Sequence, residues 1–210
     1  MTKKYHIVCF DLDGTIIRNT TANLHFAELL GVREQVLDLE NKFHCYEIDS
    51  TEFMEQIKHF MGNLSVNYIA QHFKTLPIIN GLDKTLKTLK EHGLTTALVT
   101  SSIHLFAKAF KRRYDFDYAY GTKYTVRTDG KLQKLKTCSG ELKVTKVKRI
   151  ADTHNVGLEK VVAIGDSLTD IQLFSQVGKA IAINHDHHLE GKAHIYLKTD
   201  DIYEVIEHIL

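Results

Sequence analysis

Proline occurs once in this chain, at Pro77, and tryptophan does not occur at all. A lone proline leaves no Pro-rich linker, and the composition shows neither an internal repeat nor a low-complexity tract. Charge of one sign is also lacking. The 27 lysines and arginines nearly balance 26 aspartates and glutamates, for a formal net charge of +1. Such a balance offers no electrostatic footprint for nucleic acid or an anionic membrane surface. No apolar run is long enough to cross a bilayer. Met1-Thr2-Lys3-Lys4-Tyr5 leads directly into the first expected strand, which leaves no room for a signal peptide. Cysteine is scarce: Cys9, Cys45 and Cys138 are widely spaced, form no metal-type pair, and read as reduced thiols in the cytoplasm. What is left is a cytoplasmic protein of 210 residues, enough for one sizeable core or for a core with a small accessory domain. Monomer and homodimer both stay open.

What the chain does have is alternation. A buried strand is expected at Ile7-Val8-Cys9-Phe10, and from residue 82 onward helices and strands take turns. Leucines at helical spacing predict a helix over 82–90, stopped near Gly93. Strands follow at 95–100, 161–164, 180–183 and 195–197, with helices at 105–110, 144–154, 168–177 and 202–209. Thr128-Asp129-Gly130-Lys131 predicts a hairpin turn between 124–126 and 132–135. Strands alternating with helices predict an α/β fold with a parallel sheet covered on both faces. The stretch from about 21 to 75 contains no β-like run. It predicts four short helices, with Ser50 or Thr51 and Ser65 as N-caps. An insertion directly after the first strand would hang over that strand's end as a lid that excludes water and selects substrates.

That strand ends in Asp11-Leu12-Asp13-Gly14-Thr15, two carboxylates one residue apart at the edge where open α/β sheets place their ligands. The strand at Leu98-Val99 runs into three hydroxyls, Thr100, Ser101 and Ser102, which with free N–H groups at a helix start would suit a phosphate. The strand at Val161 to Ile164 ends in Gly165-Asp166-Ser167-Leu168-Thr169-Asp170, bringing Asp166 to the same edge as Asp11. Lys143, Lys146 and Lys148 cluster at a helix start, where positive charge opposes the helix dipole and therefore invites another explanation.

In their order along the chain, these four pieces resemble the haloacid dehalogenase superfamily of aspartate-nucleophile phosphotransferases. The resemblance implies a Rossmann-like parallel sheet core over residues 1–18 and 78–210, with a helical-bundle cap inserted over 19–77. The insertion and the hairpin are like the subgroup that includes phosphoserine phosphatase. The resemblance further implies Asp11 as nucleophile, Asp13 as acid and base, and Thr100, Ser101 and a lysine as phosphate-binding groups. It implies Mg²⁺ held by Asp11, Asp166 and the backbone carbonyl of Asp13, with Asp170 holding a metal-bound water or orienting a ligand. Lys143 fits the lysine best by its distance from Asp166 and its place just before the helix, and Lys146, one turn on, is the alternative.

The expected activity is Mg²⁺-dependent hydrolysis of a small phosphorylated metabolite through an aspartyl-phosphate. Transfer to an acceptor other than water, as a mutase or phosphotransferase, would use the same residues, and a non-catalytic binding module is the reading from another class. One departure bears on substrate. Phosphoserine phosphatases hold the substrate amine with a glutamate soon after the nucleophile and its carboxylate with a cap arginine. Here Thr20 stands in the glutamate's place, no acid lies between Asp13 and Glu28, and Arg18 and Arg33 fall elsewhere. The expectation is therefore a substrate other than phosphoserine. His25, Tyr46, Lys58, His59 and the phenylalanines of the inserted helices are candidate pocket residues, His104 a helix-surface residue, and His185-Asp186-His187-His188 an exposed loop.

Overall fold

The computed structural model describes residues 4–61, 64–126, 132–136 and 140–210. Seven strands form one sheet in the order β4-β3-β2-β1-β5-β6-β7. They are β1 (Ile7–Phe10), β2 (Thr95–Ile103), β3 (Tyr118–Val126), β4 (Leu132–Lys136), β5 (Val161–Gly165), β6 (Lys179–Ile183) and β7 (Ile195–Leu197). All neighbours pair in parallel except β3 with β4, an antiparallel hairpin whose turn lies outside the described residues. β1 is central. Ile7 to Phe10 pair with Thr95 to Leu98 on one side and with Val161 to Ile164 on the other. The chain runs outward from β1 in both directions, so the carboxyl end of β1 is the switch point where such sheets open a crevice.

All four residues of β1 are buried, as a parallel strand covered on both faces requires. Alternation divides them. Val8 and Phe10 belong to one apolar cluster with Leu82, Leu86 and Leu89 of α5 (Leu82–Glu91) and Phe106 and Phe110 of α6 (His104–Tyr114). Ile7 and Cys9 belong to the other, with Val147, Ile150 and Ala151 of α7 (Gly140–Thr153) and Leu173 and Phe174 of α8 (Ile171–Phe174). Between β1 and α5 come α1 (Ala22–Leu29), α2 (Arg33–His44), α3 (Ser50–Met61) and α4 (Val66–Gln71). Their buried residues, Phe26, Val36, Leu39, Met54, Ile57 and Ile69, join the first cluster. Phe26 of α1 stacks on Phe106 of α6 at 5.2 Å, and Phe43 of α2 on Phe53 of α3 at 5.1 Å.

Several expected boundaries move. The hydroxyl run at 100–102 does not open a helix: β2 continues through Ile103 and α6 begins at His104. The helix carrying Lys143 begins at Gly140, so Lys143 sits in its first turn rather than before it. The helix over 168–177 is a 3-10 turn, Leu168–Asp170, leading into the short α8, and the closing segment Ile202–His208 is 3-10 throughout. At α3 the capping acceptor is Asp49, whose carboxylate takes the N–H groups of Thr51 and Glu52, while Glu52 takes that of Asp49. Ser65 does cap α4. Among the described residues no helix is long and apolar enough to span a membrane. Of the cysteines, Cys9 is buried, Cys45 is exposed, and neither is in a disulfide; Cys138 lies outside the described residues.

Candidate active site

The carboxyl ends of β1, β2 and β5 meet the first turn of α7 at one spot. Lys143 Nζ donates to Asp11 Oδ1 at 2.8 Å, to Asp170 Oδ1 at 2.8 Å and to Thr169 Oγ1 at 3.1 Å. The lysine is fully buried, at 0% exposure. Burial alone would pull its pKa down, yet the charges of Asp11 and Asp170 outweigh that and hold it above the usual lysine range. Lys143 is therefore a fixed ammonium. Lys146 points elsewhere, with its Nζ over the Tyr120 ring at 5.4 Å.

Asp170 is committed on both oxygens. Oδ1 takes Lys143, and Oδ2 takes the backbone N–H groups of Asp166 and Ser167 at 3.2 and 3.3 Å. It shapes the turn after β5 more than it reaches out from it. Asp166 accepts from Thr15 Oγ1 at 3.0 Å and lies against the backbone of Gly14. Gly14 is required twice over: its φ is +77°, and a Cβ there would stand 1.9 Å from Asp166 Oδ2. Arg18 steadies the same turn by donating to the Gly14 carbonyl.

Asp13 points the other way, toward the helical insertion. Its Oδ1 accepts from the backbone N–H of Ala22, the first residue of α1, at 2.6 Å, and its Oδ2 accepts from the Ser102 hydroxyl. Thr100 is buried beneath, with Oγ1 accepting from the Ser102 N–H at 3.0 Å. Ser102 is a partner that its place in the hydroxyl run did not single out.

Among the described residues, Lys143 is the positive charge that faces Asp11, Asp13, Asp166 and Asp170. Burial, with neighbouring carboxylates adding to it, pushes the Asp11 pKa up to about 7 against the pull of Lys143. Burial likewise raises Asp13, and raises Asp166 well above the carboxylate range. An excess of buried acid calls for a further cation. Asp11, Asp166 and Asp170 each offer an oxygen within 4.8 Å of the others, an all-oxygen donor set that suits a hard divalent ion. Magnesium fits this chemistry. Among the described residues no such group forms at His185 to His188, where Asp186 instead caps the Leu189 turn by accepting from the His188 N–H.

A small cleft of about 90 Å³ opens over these groups. Its floor is Asp11, Asp13, Thr100, Ser101, Ser102, Ser167 and Thr169, and its roof Thr21, Asn23, Glu40, Phe43, His44, Phe53 and Met54. His25, Tyr46, Lys58 and His59 are not among its lining residues, whereas the cap phenylalanines Phe43 and Phe53 are. Glu40 does line it, and sequence reasoning missed it because the acid comes from α2, not from the segment just after β1. Thr21 Oγ1 donates to Glu40 Oε1 at 2.6 Å, and burial raises Glu40 to about 8.

Comparison with known proteins adds to this geometry. A family model described as haloacid dehalogenase-like hydrolase matches residues 8–175. The phosphoserine phosphatase of Methanocaldococcus jannaschii is 27% identical over the whole of both chains. That of Archaeoglobus fulgidus is 25% identical over 87% of this chain and 53% of its own length. Among solved structures, a phospho-aspartyl intermediate analogue of phosphoserine phosphatase superposes with a TM-score of 0.83 at 25% identity, over 99% of this chain and 100% of that one. A hydrolase from Salmonella enterica gives 0.86 at 20% identity over 99% of this chain and 72% of that one.

Proposed function

Because the chain belongs to the haloacid dehalogenase-like hydrolases, we propose that it is a metal-dependent phosphatase that hydrolyses a small phosphorylated metabolite through an aspartyl-phosphate. The observation that carries this reading is the buried Lys143 clamped between Asp11 and Asp170 at 2.8 Å each, beside Asp13 held by Ser102 and Ala22. A nucleophilic carboxylate needs cations around it before a phosphate dianion can approach, and here the protein contributes one and the donor set for another.

In this reading Asp11, Asp166 and the Asp13 carbonyl would hold Mg²⁺, which would supply charge neutralisation for anionic attack on the phosphoryl group. Thr100 and Ser101 bind the phosphoryl group, and Lys143 both orients Asp11 and offsets the charge that builds up on phosphorus oxygens. The Asp11 carboxylate attacks phosphorus in line. As the new O–P bond forms, the ester P–O bond breaks, and Asp13 gives its proton to the departing alkoxide. Asp13, now ionised, takes a proton from water as that water attacks phosphorus, and the bond to Asp11 breaks to release phosphate. Asp170 is a positioning residue for Lys143 and the turn carrying Asp166. Residues 19–77 serve as the cap, closing the cleft and limiting what enters.

Relatives named phosphoserine phosphatase make that ester the necessary comparator. Glu40 supplies an acid to the cleft after all, so a missing acid no longer counts against it. A missing cation does: among the described residues lining the cleft there is no lysine or arginine to meet a substrate carboxylate. On that ground the substrate is a phosphomonoester other than phosphoserine. The test is phosphate release from a panel of phosphorylated metabolites, with Mg²⁺ and with EDTA, using Asp11→Asn as the blank. Release that needs the metal and Asp11 is expected. Equal release by Asp11→Asn would sink the reading.

A further inference from the structure

The roof of the cleft holds polar groups that the phosphoryl chemistry leaves unused. Glu40 lies on α2, 7% exposed, among Phe43, Phe53 and Met54. Its Oε1 takes the Thr21 hydroxyl, whose own oxygen accepts the Leu24 N–H, and Oε2 has no hydrogen-bond partner among the described residues. Asn23 lines the same cleft at 3% exposure, and its buried side-chain oxygen has no partner either. A buried acceptor without a donor, such as Asn23 Oδ1, is costly in an apolar wall and ordinarily finds a partner. Neither belongs to the Asp11, Asp166 and Asp170 cluster. Thr21 and Ala22 are consecutive, and Ala22 N–H binds Asp13, so the roof acceptors are tied to the leaving-group side of the site.

Resting on the phosphatase reading above, we propose that Glu40, set by Thr21 and assisted by Asn23, receives the protonated amine of the substrate, and that the substrate class is an aminoalkyl phosphate without a carboxylate. An ammonium supplies donors to both oxygens, and its charge on entering favours the ionised form of Glu40, which burial otherwise holds protonated up to about pH 8. Phe43, Phe53 and Met54 fit a short alkyl stem. His44, the basic side chain among the described lining residues, is pulled below its ordinary value by burial and offers no fixed positive charge to a carboxylate. A site built around buried polar acceptors rejects an analogue that lacks the donors, because the acceptors then stay unpaired.

The test compares kcat/KM for aminoethyl phosphate, its near-isostere hydroxyethyl phosphate, and phosphoserine, in the wild type, Glu40→Gln and Thr21→Val, with p-nitrophenyl phosphate as a generic ester. The wild type is expected to favour aminoethyl over hydroxyethyl phosphate by at least about tenfold and over phosphoserine as well. Glu40→Gln is expected to collapse the amine preference by about ten- to a hundredfold, mainly through KM, and Thr21→Val to weaken it less. Circular dichroism of both variants separates a lost contact from a lost fold. Should Glu40→Gln fail to fold, retention of the amine preference by a folded Thr21→Val overturns the proposal. Metal- and Asp11-dependent hydrolysis of p-nitrophenyl phosphate without amine preference overturns the proposal and leaves the phosphatase reading standing. A preference for phosphoserine overturns the carboxylate-free class. No hydrolysis of any ester overturns both.

Discussion

Lys143 meets Asp11 and Asp170 at 2.8 Å each with no access to water, and that single side chain couples stability to chemistry. Removing one partner of a buried ion pair costs about 3–5 kcal/mol, because the remaining charges are left unpaired. Lys143→Met is therefore expected to lower the unfolding free energy from a urea melt by that amount and to abolish phosphate release, whereas Lys146→Met is expected to leave the unfolding free energy nearly unchanged. Gly14→Ala is a second case, since the αL backbone and the 1.9 Å approach to Asp166 leave no room for a methyl. Loss of phosphate release with retained secondary structure by circular dichroism is the expected result. Glu40 provides a pH dependence. Its ordinary value of 4.5 is raised to about 8 in the folded chain, so the fold prefers the protonated acid. That preference contributes fully below about 4.5 and is lost as pH climbs to about 8. Glu40→Gln, which cannot ionise, is expected to melt several degrees higher than the wild type at pH 9 and about equally at pH 4, as thermal melts would show.

At the scale of elements, the helical insertion is fastened by aromatic contacts and caps. Phe26 stacks on Phe106, joining α1 to α6, and its truncation to alanine is expected to cost about 3–5 kcal/mol in chemical denaturation. The elements themselves were legible in advance wherever the signal was local. The four-residue apolar run of β1, the leucine spacing of α5 and the four helical patterns before residue 75 all stand close to where periodicity put them. What was not legible depended on distance. Whether Thr100 to Ser102 ended a strand or opened a helix turned on β3, whose Thr122 pairs with Ile103 and keeps β2 extended. The depth of Lys143 turned on an α7 that starts earlier than its apolar face suggests. Glu40 is the clearest instance: nothing in an acid on a polar-looking helix announces that folding will bury it over Asp13.

For the whole molecule, the acid-rich centre makes the fold responsive to cations. A divalent ion that binds the folded chain at a hundredfold over its Kd adds about 2.7 kcal/mol, roughly 5–10 °C for a chain of this size. Added magnesium is expected to raise the melting temperature by that order, EDTA to reverse it, and Asp166→Asn to erase the shift. The position of β1 has another consequence, one that concerns synthesis. Ile7 finds its two neighbours only at Thr95 and Val161. The strand bearing Asp11 thus leaves the ribosome well before either of its flanks, and gains the second only once Val161 has been translated. Until then one edge of that apolar strand waits unpaired, and long-range pairing of this kind is slow and prone to misassociation. Nascent chains halted before Val161 should accordingly lean on chaperones, and the hydrolytic centre should come into being abruptly, late in translation, rather than piece by piece.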